Sequence, residues 1–262
     1  MRKLYLVSLV LLMVTMLTSC LKTKNEALPL GEVDLGFIEA LTPDARYLTF
    51  YFFTKEQFPC TNYFINYNYS NDLGNLEIHL KNIEVTDFCL TAAGPATAQM
   101  NLGIYQMGAY QVLIKVVNAE NSGTLQVTPS QYILTINDPQ MLTQLTDTLN
   151  RIPENTIWGY VAYNEEEYMS VAAACLDSIE QHGAVPISLD QGNFGYFSLN
   201  EEGEINLIDQ AEAKFSIGFI YEFEGSDEEI NSVIRYFYIN HYDEVFLFIR
   251  NDDGEVFNSN II

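Results

Sequence analysis

From Glu32 to Ile136 apolar and polar residues alternate in short runs broken by turn residues, and no stripe of helical spacing is long enough to compete. The alternation predicts seven strands: Arg46 to Phe53, Thr61 to Tyr69, Leu76 to Val85, Ala96 to Leu102, Ala109 to Val117, Thr124 to Val127 and Gln131 to Ile136. That number and spacing predict an all-β sandwich over residues 32–137. The pattern changes at Asp138-Pro139, an N-cap acid followed by proline at a first helical position, with Met141, Leu142, Leu145 and Leu149 on one face. A helix is therefore expected to open a second unit, residues 138–262.

That second unit holds two segments of one plan. In the first, a strand from Ile157 to Tyr163 leads to Asn164 as cap with Glu167 three residues on, a helix ending near Gly183, and a strand from Val185 to Leu189. In the second, Lys214 to Phe223 leads to Ser226 with Glu229 three residues on, a helix with the stripe Ile230, Val233, Ile234, Phe237, Tyr238 and His241, and a strand from Glu244 to Arg250. Two β-α-β units in series resemble the ferredoxin-like layout, an α+β fold with helices on one face of an antiparallel sheet. An extra hairpin, Phe194 to Leu199 and Ile205 to Ile208, is expected between them. In the first unit, Leu102-Gly103 through Gly108-Ala109-Tyr110-Gln111-Val112 resembles the L-G-x-x-x-x-G-x-Y-x-V passage of immunoglobulin-like domains. The resemblance implies an immunoglobulin-like sandwich in which the Tyr110 hydroxyl bonds back to upstream backbone.

The N-terminus carries an address. Arg2 and Lys3 precede an apolar run from Leu4 to Leu17, shorter than the roughly 20 residues that cross a membrane. The closing tetrapeptide Leu17-Thr18-Ser19-Cys20 resembles the lipobox of bacterial lipoproteins. It implies removal of residues 1–19, lipidation of Cys20, and a tether over residues 20–31; a plain signal peptide cut near Ser19 is the alternative reading. The chain as a whole resembles lipoproteins of Bacteroidetes. In those proteins an acidic cluster after the cysteine favours surface display, and Leu21-Lys22-Thr23-Lys24 has none, so the periplasmic side of the outer membrane is favoured over the cell surface.

Without the leader, 10 bases face 35 acids. A phosphate backbone is held by Lys and Arg, so nucleic acid is excluded as a partner. The charge is uneven: residues 21–137 hold 11 acids and 6 bases, residues 138–262 hold 24 acids and 4 bases. This asymmetry supports two units. Three cysteines remain after Cys20. Cys175 shares a helical stripe with Tyr168, Val171, Ala172, Leu176 and Ile179 and is expected buried and free. Cys60 and Cys89 sit at strand ends, where an exported compartment permits a disulfide; two separate buried thiols are the alternative.

No catalytic residue and no metal ligand set is proposed from the sequence, and no cofactor. His79, His182 and His241 lack metal-ligand neighbours at i+3 or i+4, and no nucleophile elbow, phosphate loop or dinucleotide fingerprint occurs. The acidic runs at 165–167, 201–204, 227–229 and 252–253 fit helix N-termini and turns better than a calcium loop. The remaining binding candidate is the stretch from Thr61 to Ser70. With period two, Tyr63, Ile65, Tyr67 and Tyr69 share one face, and Asn62, Phe64, Asn66 and Asn68 the other. Tyr63, Tyr67 and Tyr69 either form an aromatic platform for a sugar or peptide, or are core. The composite expectation is a lipid-anchored cell-envelope protein acting as a non-catalytic binding module for a glycan or protein ligand. An accessory subunit of an outer-membrane assembly and a carboxylate-dependent hydrolase are the alternatives.

Overall fold

The computed structural model describes residues 27–259 apart from Leu73, Asp87, Thr91 and Asp209; the leader 1–19, Cys20 and residues 21–26 of the tether lie outside the described residues. The chain is mostly β-sheet. Residues 27–150 form β1 (Leu28–Pro29), β2 (Val33–Leu41), β3 (Arg46–Phe58), β4 (Phe64–Asp72), β5 (Asn75–Glu84), β6 (Gly94–Gly103), β7 (Gly108–Val116), β8 (Ala119–Val127), β9 (Gln131–Ile136), β10 (Leu142–Gln144) and β11 (Thr148–Asn150). These join in the order β10-β2-β3-β6-β4-β5-β7-β8-β9-β11, with β1 added to β5 at Ile83 and Asn82. Inward residues at every second position, such as Leu35 and Phe37 of β2 or Ile78 and Leu80 of β5, fill one continuous core.

Three features depart from the sequence reading. β2 joins the seven expected strands; its inward face reads Val33, Leu35, Phe37, Glu39, Leu41, and the carboxylate in that row interrupts the apolar alternation. The helix expected after Asp138 is absent. Asp138 and Met141 take positive φ values of 43° and 56°, and residues 142–150 run as β10 and β11 instead. β10 lies parallel to β2 and β11 antiparallel to β9, so this segment joins the two ends of the sheet path. Leu142 and Leu149 bury in the sheet core, and that tertiary burial outweighs a local helical preference. The first sheet thus runs past the expected boundary at 137/138, to Asn150.

The second half comprises β12 (Thr156–Tyr163), α1 (Met169–Gln181), β13 (Val185–Pro186), β14 (Gly192–Asn193), β15 (Phe197–Leu199), β16 (Ile205–Leu207), β17 (Phe215–Glu222), α2 (Asp227–His241), β18 (Phe246–Asn251) and β19 (Val256–Asn258). Five strands pair antiparallel in the order β13-β17-β12-β18-β19, and β14, β15 and β16 form a separate small sheet. Both helices pack on one face, where Cys175 and Ile179 of α1 and Ile230, Ile234 and Phe237 of α2 meet Val161, Phe219, Leu247 and Ile249. The other face presents Trp158 to Phe197 of the small sheet at 5.5 Å between ring centroids. Covered on both sides, every residue of β12 is buried.

Ser226 and Glu229 form a reciprocal capping box at α2, which satisfies backbone donors at that helix start. Asn164 does not cap α1. A 3₁₀ turn, Glu166–Tyr168, precedes that helix, and Asn164 Oδ1 accepts the Lys214 backbone N–H at 3.1 Å. Tyr238 also leaves the expected apolar stripe of α2 and is exposed. The two halves meet at Leu41, whose backbone N–H donates to the Tyr196 hydroxyl at 3.0 Å and whose side chain joins Ile152, Trp158 and Phe194.

Candidate functional site

The sheet path has one weak seam, between β4 and β6. These strands share a single parallel register pair, Phe64 with Thr97, closed by the Thr97 N–H donating to Tyr63 O at 3.2 Å. β4 is held on its other side by β5, and β6 by β3. Past Thr97 the two edges part, and a groove of about 460 Å³ opens, lined by Phe64, Asn66, Tyr67, Glu84, Thr97 and Gln99. That volume lies in the range of small-molecule sites. A cavity in the second half, beside Tyr238, Tyr242 and Asp243, holds about 200 Å³ and falls below it.

The expected tyrosine row divides along this seam. Tyr63 is buried, its ring 5.7 Å from that of Phe58. Tyr67 is half-buried against the core, and Tyr69 is 46% exposed. The Tyr67 hydroxyl donates to Gln99 O at 2.9 Å and the Tyr69 hydroxyl to Asn101 O at 3.1 Å, so both rings bridge the open seam to β6. Asn66 and Asn68 stand exposed on the opposite face of β4, beside Phe64. Nearby, Asn71 Nδ2 donates to the Tyr105 hydroxyl at 3.0 Å, and Tyr105 meets Tyr110 edge-on at 4.8 Å. Burial, helped by the Tyr110 and Tyr69 hydroxyls, pushes the Tyr105 phenol up to about 12, so it stays neutral. The Tyr110 hydroxyl donates to Gln106 O at 2.9 Å, the upstream backbone bond its motif implies.

Cys60 and Cys89 are joined by a disulfide, Cα to Cα 5.2 Å. Cys175 is buried and free, and burial raises its thiol to about 12, which makes it inert as a nucleophile at neutral pH. His182 sets Nδ1 2.7 Å from Ser178 O, and His241 sets Nδ1 2.7 Å from Glu244 Oε2. Among the described residues no three His, Cys, Asp or Glu side chains gather as a metal site, and no helix is long and apolar enough to cross a membrane.

The sequence reading missed a buried charge cluster. Glu39 Oε1 accepts from the Tyr132 hydroxyl at 2.9 Å and from Arg151 Nη2 at 2.8 Å, while Arg46 bonds Asp252 Oδ2 at 2.6 Å and Ile152 O. Burial, then the Glu39 charge, raises the Tyr132 phenol. The only advance signal was an acid at an inward position of an alternating strand. The cluster sits where the two halves meet and suits joining them; its second carboxylate oxygen, Glu39 Oε2, is buried without a hydrogen-bond partner, 4.0 Å from Arg46 Nη1. Compared with known protein families, curated proteins and solved structures, the chain matches none.

Proposed function

We propose that this protein is a lipid-anchored component of the bacterial cell envelope that binds a glycan without transforming it. The observation that carries the binding reading is the β4/β6 groove, where aromatic rings stand beside amide side chains. Tyr67 and Tyr69 have their hydroxyls tied to β6 carbonyls, so their rings are oriented before any ligand arrives and little rotamer entropy remains to be lost. Asn66 and Gln99, which line the groove with the exposed ring of Phe64, both donate and accept hydrogen bonds, which matches the mixed demands of sugar hydroxyls against an aromatic face. Glu84 is the one ionisable carboxylate among the groove residues named, whereas glycoside hydrolysis works with a pair. The anchor reading rests on Leu17-Thr18-Ser19-Cys20 and places the protein in the outer membrane, facing the periplasm.

The finer fold assignments belong to the same proposal. The Tyr110 to Gln106 bond supports an immunoglobulin-like sandwich for the first half. For the second, a ferredoxin-like α+β domain is supported by strand order: taken as the first, second, third and fourth strands of two β-α-β units, β12, β13, β17 and β18 lie in the order 2-3-1-4 with antiparallel neighbours. The hairpin sheet β14 to β16 is the insertion.

Retardation in native gels cast with a panel of envelope and plant polysaccharides tests the binding. The wild type is expected to be slowed by at least one of them. Phe64→Ala, at an exposed ring that lines the groove, should remove the retardation with little change in melting temperature; a protein slowed by none, or a Phe64→Ala variant slowed as much as wild type, rejects the glycan groove. For the anchor, wild type should incorporate a fatty-acid analogue and Cys20→Ala should not.

A further inference from the structure

The structure fixes which end of the first sheet the N-terminal chain leaves from. β1 runs antiparallel to β5, Leu28 opposite Ile83 and Pro29 opposite Asn82, so the chain enters Ala27 from the side of the C-terminal end of β5. The turn after β5 lies at that same end, with Phe88 71% exposed and Leu90 50% exposed, and Phe64 stands beside it, paired with Glu84. These apolar side chains face outward although the turn is firmly held. The Cys60–Cys89 disulfide pins it to the start of β4. Asn62 clamps it on both sides, with Nδ2 donating to Thr86 Oγ1 and Phe88 O and Oδ1 accepting the Leu90 N–H at 3.2 Å. Thr86 Oγ1 also donates to Phe88 O at 2.8 Å. Held through its described residues Thr86, Phe88, Cys89 and Leu90, the turn offers a phenylalanine and a leucine as a small apolar contact.

The length of chain before Ala27 says which surface. Six residues separate Cys20 from Ala27, and at about 3.3–3.6 Å each they reach roughly 20 Å when fully extended. A lipidated Cys20 therefore holds this end of the sheet close to the bilayer. The opposite end is the one that carries the second half, through Arg46, Leu41 and Tyr196. β2 alone, nine residues long, separates the two ends by about 30 Å. We propose that Phe88 and Leu90 insert into the lipid surface beside the anchor, making a second contact that fixes the protein's tilt and holds the acidic half away from the membrane. This contact rests on the lipid-anchor reading above. The acyl chains would hold the protein to the membrane, and the wedge would set an orientation that the tether alone does not.

The test uses the acylated full-length product reconstituted into phosphatidylcholine–phosphatidylglycerol vesicles, with and without brominated lipid. Native Trp158 is the chain's one tryptophan and is buried, so it supplies a constant background. Phe88→Trp and Leu90→Trp should each lose at least half of their added fluorescence to brominated lipid. Met107→Trp, in the turn before β7 at the opposite end, should lose none. Flotation with the vesicles and the mass of the acylated Cys20 peptide are read on the same samples. Protein that floats and is acylated, with neither Phe88→Trp nor Leu90→Trp quenched, overturns the wedge alone. Protein that is unacylated and does not float overturns the anchor and the wedge together.

Discussion

Arg151 reaches back across 112 positions to Glu39, placing Nη2 2.8 Å and Nε 3.0 Å from the same carboxylate oxygen. The acid belongs to the second strand of the chain and the base to the link between the halves, so the pair ties the end of the first sheet to the start of the second half. Glu39 is almost fully buried. Arg151→Met should therefore leave a buried carboxylate short of its main partner and destabilise by about 3–5 kcal/mol. Glu39→Gln, which can still accept from Tyr132 and Arg151, should lose clearly less. Urea unfolding of the two variants checks the order; equal losses would show that the charge of Glu39 is itself needed and that the cost of Arg151→Met is not that of a carboxylate left unpaired.

The disulfide closes a separation of 29 residues. Constraint of the unfolded chain over that length predicts about 3–4 kcal/mol of stability. Cys60→Ser combined with Cys89→Ser should lower the unfolding free energy from urea titration by that amount, with peptide mapping of unreduced wild type recovering the linked pair.

Cys175 should resist a thiol reagent at pH 8 in the native protein, since a thiol raised to about 12 is roughly one part in 10⁴ thiolate there. Denaturation without reductant should release one reactive thiol from the chain between Leu21 and Ile262. The linkage follows in sign. A thiol whose folded value lies above its ordinary value of 9.0 contributes stability that is fully present below pH 9 and is lost as pH rises toward 12. Thermal midpoints should fall over that alkaline window, and Cys175→Ala should flatten part of the fall.

Gly254 sits at φ +81°, and a Cβ added there would come 2.2 Å from Leu41 O. Both the backbone conformation and the close approach exclude a side chain. Gly254→Ala should push the β18–β19 turn off Leu41 and loosen the contact between the halves, seen as faster hydrogen exchange at Leu41 and Arg46 with the α1 and α2 core unchanged. Protection that stays at wild-type level at both residues would show that the junction does not depend on this approach.

Much of the strand pattern was legible because alternation is a local signal: the seven strands from Arg46 to Ile136 all appear, with ends shifted by a few residues. β2 was hidden by Glu39, whose inward position makes sense only with Arg151 and Tyr132 beside it. Residues 138–149 misled for the converse reason. Asp138-Pro139 and the leucine spacing are honest helix signals over twelve residues, yet the partners that claim Leu142 and Leu149 lie on β2 and β9, remote in sequence. Of the candidate groove, the tyrosine row was visible and its division was not. Period two assigns Tyr63 and Tyr69 to one face; only the parting of β4 from β6 explains why one is core and the other is exposed. Ser226 with Glu229 was readable because a capping box is complete within four residues, whereas Asn164 depended on where Lys214 would come to rest.

The segment 142–150 sets an order on how this chain can become a stable protein. An eleven-strand sheet leaves two ends, and strand ends are templates for pairing with other chains. Here both ends are capped by one stretch of nine residues that is made after all the strands it must join. Until it arrives, β2 and β9 are open; closing β2 links positions 109 residues apart, a slow, high-contact-order step, whereas β9 is met from 15 to 19 residues away. A nascent chain lacking residues beyond Asn137 is therefore a sticky intermediate rather than a small domain. The sheet therefore commits to its final shape only once this closing segment is present.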